Sequence, residues 1–402
     1  MRPTVSRSLA ALAARDLARL PATRQIVAGM ATVAGNETAL GVALGSLLPQ
    51  VDRIDLYLNG YTEVPELLQA YPQIRCQLDP EGRRYGDAGK FWGLQDCTDT
   101  LYLSCDDDIA YPHDYVARMV QALAQHEGRC AVGVHAALLR QAADTVPRSY
   151  YAAESRSVWH FETALLRERR AHVLGTGTTA FHTHHVRPPL SDFAHPNMAD
   201  LWLAKYLHER HLPAFAVARS ARWLQQLPVQ RPTIFEHSAR RHTGRFDTSR
   251  QQDQLAAALR PLSVLRGNAP EVPVYVVEVQ TRRDLPELLA ALARSADDAV
   301  LLLIDALAPS AGPPLTLQEL PDTFCELHLL GPDAPSAWRP SYTQLLASAP
   351  QQVRCLRLYH TGQQAELIDL GPQAWVALFG RNATDRKQSV HSTHPSAALV
   401  AS

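Results

Sequence analysis

Three consecutive carboxylates, Asp106, Asp107 and Asp108, follow the short and mostly apolar run Leu101-Tyr-Leu-Ser-Cys105. An apolar run that stops abruptly reads as a buried strand, so the carboxylates stand at its C-terminal end. Adjacent negative charges repel one another. At the mouth of a sheet they are tolerated when a cation sits among them. The simplest is a hard divalent ion with oxygen ligands, Mg2+ or Mn2+, which usually bridges to a phosphate. The plainer alternative is an acidic turn after a strand.

A second charged group points the same way. Lysine occurs three times, at 90, 205 and 387, and arginine supplies nearly all the remaining positive charge. A lysine kept in so arginine-rich a chain suits a role that needs a compact point charge. Lys90 closes the glycine-containing loop Gly86-Asp87-Ala-Gly-Lys90, just before a helix expected from Phe91.

The elements around these residues alternate. Ile26 to Met30 reads as a strand, Met30 to Asn36 as the loop after it, and Glu37 to Leu48 as a helix with leucines on one face, stopped by Pro49. Arg53 to Leu58 is the next strand, ended by the turn signal Asn59-Gly60. A short helix at 63–71, a strand at 74–78 and the strand at 101–105 follow. Alternation of this kind predicts an α/β fold: a mostly parallel sheet with helices on both faces and ligands outside the carboxyl ends of the strands. The polar features noted so far all follow strand C-termini. Farther on come a strand at 129–135, a strand at 171–174, the loop Gly175-Thr176-Gly177-Thr178-Thr179, a helix at 198–208 with Asp200 in its first turn, and a strand at 213–217.

Length and charge set the bounds. The chain has 402 residues, too many for one core of ordinary size, and two domains are expected. Pro261, Gly267 and Pro270 mark a linker, giving a first domain over 24–262 and a smaller α/β accessory domain over 270–385. Residues 386–402 read as a disordered tail. The net charge of −1 gives no polyanion-binding character, and no nucleic-acid partner is expected. The accessory domain is acidic and reads as a docking or homo-oligomerising module. Residues 1–23 carry several arginines with leucines at near-helical spacing. They form either a basic amphipathic helix resting on a membrane surface or a helix packed on the following domain. No apolar run reaches the ~20 residues needed to span a bilayer. Residues 1–24 lack the apolar core of a secretory signal, and the six cysteines show no CxxC pairing, as in a cytosolic protein with reduced thiols.

With these strand ends in place, residues 24–260 resemble a GT-A-fold glycosyltransferase of the broad family-2 type that builds bacterial surface polysaccharides. Asp106-Asp107-Asp108 is similar to the DxD signature. The resemblance implies that Asp106 and Asp108 hold a divalent metal, with Asp106 and Asp107 toward the nucleotide sugar and its ribose. Gln25 to Thr32 resembles the first strand and nucleotide-cradling loop, implying donor contacts at Ala28, Met30 and Thr32. Asn59 stands where many members have an Asp that pairs with uracil. Asp87 and Lys90 lie in the loop that closes over base and phosphates. Gly175, Thr176, Gly177 and Thr178 resemble the acceptor-side loop, and Asp200 the catalytic base, although Ala199 replaces the usual preceding acid. A histidine often completes the metal shell in such enzymes; His237 or His242 would do so.

The function implied is metal-dependent transfer of a sugar from a nucleotide-diphosphate donor, a UDP-sugar first, to a hydroxyl of a glycan or lipid-linked acceptor, with inversion. The alternatives are a nucleotidyl or sugar-phosphate transferase using the same carboxylates, and a non-catalytic docking subunit. His182, His184 and His185 read as solvent-exposed or acceptor-lining, since no further ligand stands at zinc-like spacing. Trp202 and Trp223 read as packing residues.

Overall fold

Strands β1 (Gln25–Val33), β2 (Arg53–Asn59), β3 (Ile74–Asp79) and β4 (Thr100–Asp106) lie parallel in the order β4-β1-β2-β3. β1, β2 and β4 are almost wholly buried, as expected where both faces are covered, whereas the edge strand β3 alternates apolar and polar residues and is half-buried. On β1, Ile26, Ala28 and Met30 pack with Leu40, Leu44 and Leu47 of the Glu37–Leu47 helix. Val27 faces the other way and joins Phe91, Tyr102 and Leu203. In this computed structural model the described residues are 12–82, 84–143, 149–230, 233–234, 248–259 and, with interruptions, 272–374. The linker at 261–270, the tail at 386–402, His237 and His242 lie outside them, as do residues 1–11.

The chain divides into two compact units, residues 1–141 with 147–270, and residues 142–146 with 271–402. Further strands are β5 (Ile109–Ala110), β6 (Ala131–Gly133), β7 (Ala136–Leu139), β8 (Gln141–Ala143), β9 (Arg156–Trp159), β10 (Arg169–Ala171), β11 (Val173–Leu174), β12 (Thr178–His182), β13 (Ala214–Ala216) and β14 (Gln225–Gln226). The sheet of the first unit has eight strands, β10-β13-β6-β12-β4-β1-β2-β3. β12 is antiparallel to both β4 and β6, with Thr178 opposite Cys105 and His182 opposite Leu101. The turn at 175–177 delivers β12 at the C-terminal end of β4, so it can only run back down the sheet. Two small sheets, β11-β7-β9 and β14-β5, lie beside these strand ends.

Two local expectations are corrected. The loop expected from Met30 is shorter, because β1 continues to Val33 and stays paired with β2, Met30 opposite Leu56 and Thr32 opposite Leu58. The segment around Lys90 is a pair of 3-10 turns, Gly86–Phe91 and Gly93–Asp96, rather than a loop running into an α-helix. Close packing on β2 explains it: a Cβ on Gly89 would lie 2.3 Å from the Tyr57 ring and one on Gly93 2.0 Å from Asp55 Oδ2.

The second unit carries β15 (Val274–Val279), β16 (Val300–Asp305), β17 (Glu326–Leu330), β18 (Val353–Thr361) and β19 (Gln364–Asp369). Its sheet order is β19-β18-β15-β16-β17-β8. β15, β16, β17 and β18 are parallel, and β19 returns antiparallel to β18. Leu288 and Leu292 of the Leu285–Ser295 helix pack on the Val277 and Leu303 side. Among the described residues no helix is long and apolar enough to cross a membrane.

Asp55 shows what the interior of this sheet demands. It is buried on β2 and accepts from Arg53 Nε at 2.9 Å and Arg75 Nε at 2.8 Å. Arg75 also reaches Asp96 at 2.7 Å and lies over the Trp92 ring. Replacing Asp55 with Ala leaves two half-buried guanidinium groups short of a partner. The expected loss is about 2–3 kcal/mol of unfolding free energy by urea denaturation; an unchanged midpoint would show that the three-way pair adds nothing.

Candidate active site

Lys90 is the buried centre of the Gly86–Phe91 turn, and its Nζ donates to Oδ1 of Asp106, the last residue of β4. The turn is fixed from below, where the Tyr102 hydroxyl donates to the Lys90 carbonyl at 2.7 Å. Gly29 of β1 makes room: a Cβ there would lie 2.0 Å from that carbonyl oxygen. Burial pulls the Lys90 pKa down, but Asp106 and Asp87 outweigh it and hold the ammonium above its usual range. The Asp106 side chain keeps 39% of its surface, so the carboxylate is accessible while paired.

The three carboxylates diverge. Asp106 is held on the far side by Tyr111, whose hydroxyl accepts from the Asp106 amide at 2.8 Å and donates to the Gly177 carbonyl at 2.7 Å. A Cβ on Gly177 would stand 1.9 Å from Asp106 Oδ2, so the carboxylate lies flush on bare backbone. Asp107 turns back into the protein and accepts from Thr32 Oγ1 and from Asn36 Nδ2 at 3.0 Å. Burial raises its pKa, and those two donors partly offset the effect. Asp108 has its carbonyl pinned by the Leu227 amide at 2.7 Å and Gln226 Nε2 at 2.9 Å. Its carboxyl is pushed up to about 7, first by burial and then by the charges of Asp106 and Asp107.

Asp200 enters from the start of the Ala199–Glu209 helix. Its Oδ1 accepts from the Thr176 amide at 2.8 Å and the Thr176 hydroxyl at 2.7 Å. Oδ2 has no partner among the described residues and is not sealed from solvent. Burial raises the Asp200 pKa against the two Thr176 bonds and the pull of Lys90. Asp87 completes the cluster. Its Oδ2 accepts from the Ala199 amide at 3.0 Å, which satisfies an open N–H in the first turn of that helix. Burial raises its pKa to about 6, against the attraction of Lys90. Asp87 Oδ1 is buried without a hydrogen bond among the described residues.

Asp87, Lys90, Asp106, Asp200 and the turn at 175–177 thus lie together. Other residues named from the sequence do different work. Ala28 and Met30 have core side chains and backbones paired on both edges, so neither offers a group to a ligand. Thr32 bonds Asp107, and the Thr178 hydroxyl accepts from the His135 amide at 2.9 Å. Asn59 Nδ2 donates to the Thr32 and Gly86 carbonyls, each at 3.2 Å, while its Oδ1 is buried without a hydrogen bond. His182 sits at the opposite end of β12 from Thr178, with its ring against Thr23 Oγ1, so it lines no part of this crevice. Trp223 donates to Asp114 at 2.9 Å beside Tyr115, as a packing residue.

Sequence reasoning missed Asn36, His135 and the Tyr150, Tyr151 and Arg156 group. His135 lies beneath Gly175, where a Cβ would stand 2.9 Å from it, and burial with neighbouring His160 and arginines pushes it down to about 3. Its partners are distant in sequence, and no spacing rule links them.

No protein-family model and no curated protein matches this sequence. Solved structures do match. GalNAc-T7, crystallised with UDP, GalNAc and Mn2+, aligns over 60% of this chain and 55% of its own, at 8% identity and a TM-score of 0.38. A nucleotidyl transferase from Methanothermobacter aligns over 58% of this chain and 99% of its own, at 12% identity and a TM-score of 0.31. S. aureus TarS aligns over 67% and 79%, at 9% identity and a TM-score of 0.31. This chain therefore spans little more than half of the first of these proteins. Likenesses this distant decide nothing about chemistry, and the α/β architecture stands on the sheet itself.

The raised Asp108 gives a pH prediction. Its neutral form is favoured in the folded state, so folding takes up a proton between the ordinary carboxylate range and about 7. Stability is therefore lost as pH rises through that interval. Asp108→Asn should raise the melting temperature of the metal-free protein more at pH 8 than at pH 5, read by scanning calorimetry. An equal effect at both would show that neither burial nor the neighbouring charges raise the Asp108 carboxyl.

Proposed function

We propose that the first unit is a GT-A-fold glycosyltransferase of family-2-like bacterial type. It moves a sugar from a nucleotide-diphosphate donor, a UDP-sugar first, to a hydroxyl of a glycan or lipid-linked acceptor in surface polysaccharide synthesis. The observation that carries the reading is the meeting of Lys90, Asp106 and Asp200 at one strand end, with an accessible carboxylate on Asp106 and a free Oδ2 on Asp200.

The donor set suits a hard divalent ion, Mn2+ or Mg2+. Asp106 and Asp108 offer oxygen ligands, and the Asp108 carboxyl, raised first by burial and then by the charges of Asp106 and Asp107, would have its ionised form favoured by a bound cation. No group of three or more His, Cys, Asp and Glu side chains is poised for a metal among the described residues. Two carboxylates with phosphate and water completing the shell is a usual arrangement for such ions. Bound there, the metal supplies Lewis-acid stabilisation of the leaving diphosphate. The chain's own groups do the rest. Lys90 adds a fixed positive charge beside the phosphates. Asp200 Oδ2 takes the proton of the acceptor hydroxyl as it attacks the anomeric carbon. Thr176 keeps the Asp200 carboxylate oriented through Oδ1. A single base and direct displacement give inversion. The buried Oδ1 of Asn59 suits a base that presents an N–H donor, as uracil does. The second unit is assigned to docking or self-association, and the protein to the cytoplasm.

Asp200→Asn should lower sugar transfer about 10²- to 10⁴-fold. The Mn2+-dependent rise in melting temperature with a nucleotide sugar should be retained, since a ligand that binds only the folded state stabilises it. A product of retained anomeric configuration, or full activity in the variant, would sink the assignment of Asp200 as the base.

A further inference from the structure

Arg156 opens β9, opposite Leu139 of β7 in the small sheet β11-β7-β9. β11 of the same sheet leads directly into the turn at 175–177 that holds Asp200 and Asp106. The Arg156 guanidinium carbon lies 4.5 Å from the ring centre of Tyr150 and 4.7 Å from that of Tyr151. The two rings meet edge to face, with centres 5.0 Å apart. Neither tyrosine is loose. The Tyr150 amide donates to Asp253 at 2.6 Å, and the Tyr150 side chain packs with Leu201 and Ala204 on the helix that Asp200 begins.

The cations of this unit are satisfied in two ways: some pair with carboxylates, and Arg118, Arg187 and Arg219 donate to backbone carbonyls. Arg53, Arg75, Lys90 and Lys205 each have a carboxylate partner. Arg156 pairs with no carboxylate among the described residues; its recorded neighbours are the two tyrosines. An arginine held by two aromatic side chains, hydrogen-bonded to one of them and paired with no acid among the described residues, keeps further N–H donors for an oxyanion. Its field also reaches His135 below Gly175, and the tyrosines feel Asp200.

We propose that Arg156, framed by Tyr150 and Tyr151, is the acceptor-recognition residue of this site and binds an oxyanion, phosphate or carboxylate, carried by the acceptor. The assignment rests on the glycosyltransferase reading above. The anion is seated beside the helix that carries Asp200, with the attacking hydroxyl directed to the free Oδ2. Arg156 also offsets the negative charge of Asp200, which otherwise repels an anionic acceptor. Arg156 is a specificity residue and takes no part in proton transfer.

Calorimetric titration of the full chain, saturated with UDP and Mn2+, tests this with three probes: glucose 1-phosphate, glucuronate and methyl glucoside. The anionic sugars should bind wild type about ten-fold more tightly than the neutral one. Arg156→Gln should erase that preference and Arg156→Lys keep part of it, with UDP affinity equal in all three proteins as the check on folding. A preference confined to one anionic probe identifies phosphate or carboxylate as the group recognised. Equal binding of charged and neutral sugars to wild type, or a preference that survives Arg156→Gln, overturns the proposal. Absence of UDP binding to wild type overturns the glycosyltransferase reading instead, and the probes are then compared on the nucleotide-free chain.

Discussion

Lys90 is buried against Asp106, and removing an ammonium from water costs several kcal/mol unless charges and hydrogen bonds replace the lost hydration. Asp106 and Asp87 supply that replacement, and they bring two elements with them. Asp106 ends the central strand β4. Asp87 holds the first turn of the helix that carries Asp200. One buried cation thereby ties a strand end, a 3-10 turn and a helix start into a single constellation. Without it, three carboxylates would face one another across a poorly solvated crevice, and each would be driven toward its neutral form.

The close approach of these groups depends on absent side chains as much as on present ones. Gly29 lets the Lys90 carbonyl lie on β1, and Gly177 lets the Asp106 carboxylate lie on the turn at 175–177. Gly86 has a left-handed φ of 56° and faces Asn197 Oδ1 at 2.3 Å from a hypothetical Cβ. At Gly29 and Gly177 a methyl group would displace backbone or a charged group rather than a flexible tip, and at Gly86 it would meet the buried Asn197 amide. The carboxylates are meanwhile given separate tasks by their surroundings. Asp107 ties β4 to Thr32 and Asn36, Asp108 is buried beside Gln226, and the Asp106 carboxylate keeps solvent access while paired with Lys90.

Much of this was legible in the sequence because it rests on local signals. The parallel strands β1, β2 and β4 are mostly apolar runs and β3 an alternating one, and their ends lie within two or three residues of where the pattern puts them. Asp106 was singled out at a strand end, Lys90 as one of three lysines and Asp200 in the first turn of a helix, and the structure brings the three close together. What was not legible depends on tertiary packing. β1 runs three residues past its apolar pattern because β2 keeps pairing with it. The turn around Lys90 stays 3-10 because Gly89 and Gly93 are pressed on Tyr57 and Asp55. The separate task of Asp107 comes from its contacts with Thr32 and Asn36, 75 and 71 residues away. The antiparallel β12 follows from where a turn releases the chain, which no periodicity encodes.

The central claim is that the Lys90 and Asp106 crevice is a nucleotide-diphosphate site completed by a divalent ion. Isothermal titration of UDP into the full chain, with and without Mn2+, addresses it most directly. The account predicts one UDP per chain, bound more tightly with Mn2+, and a metal dependence that disappears in Asp106→Asn. UDP binding that ignores Mn2+, or no UDP binding at all, would contradict it.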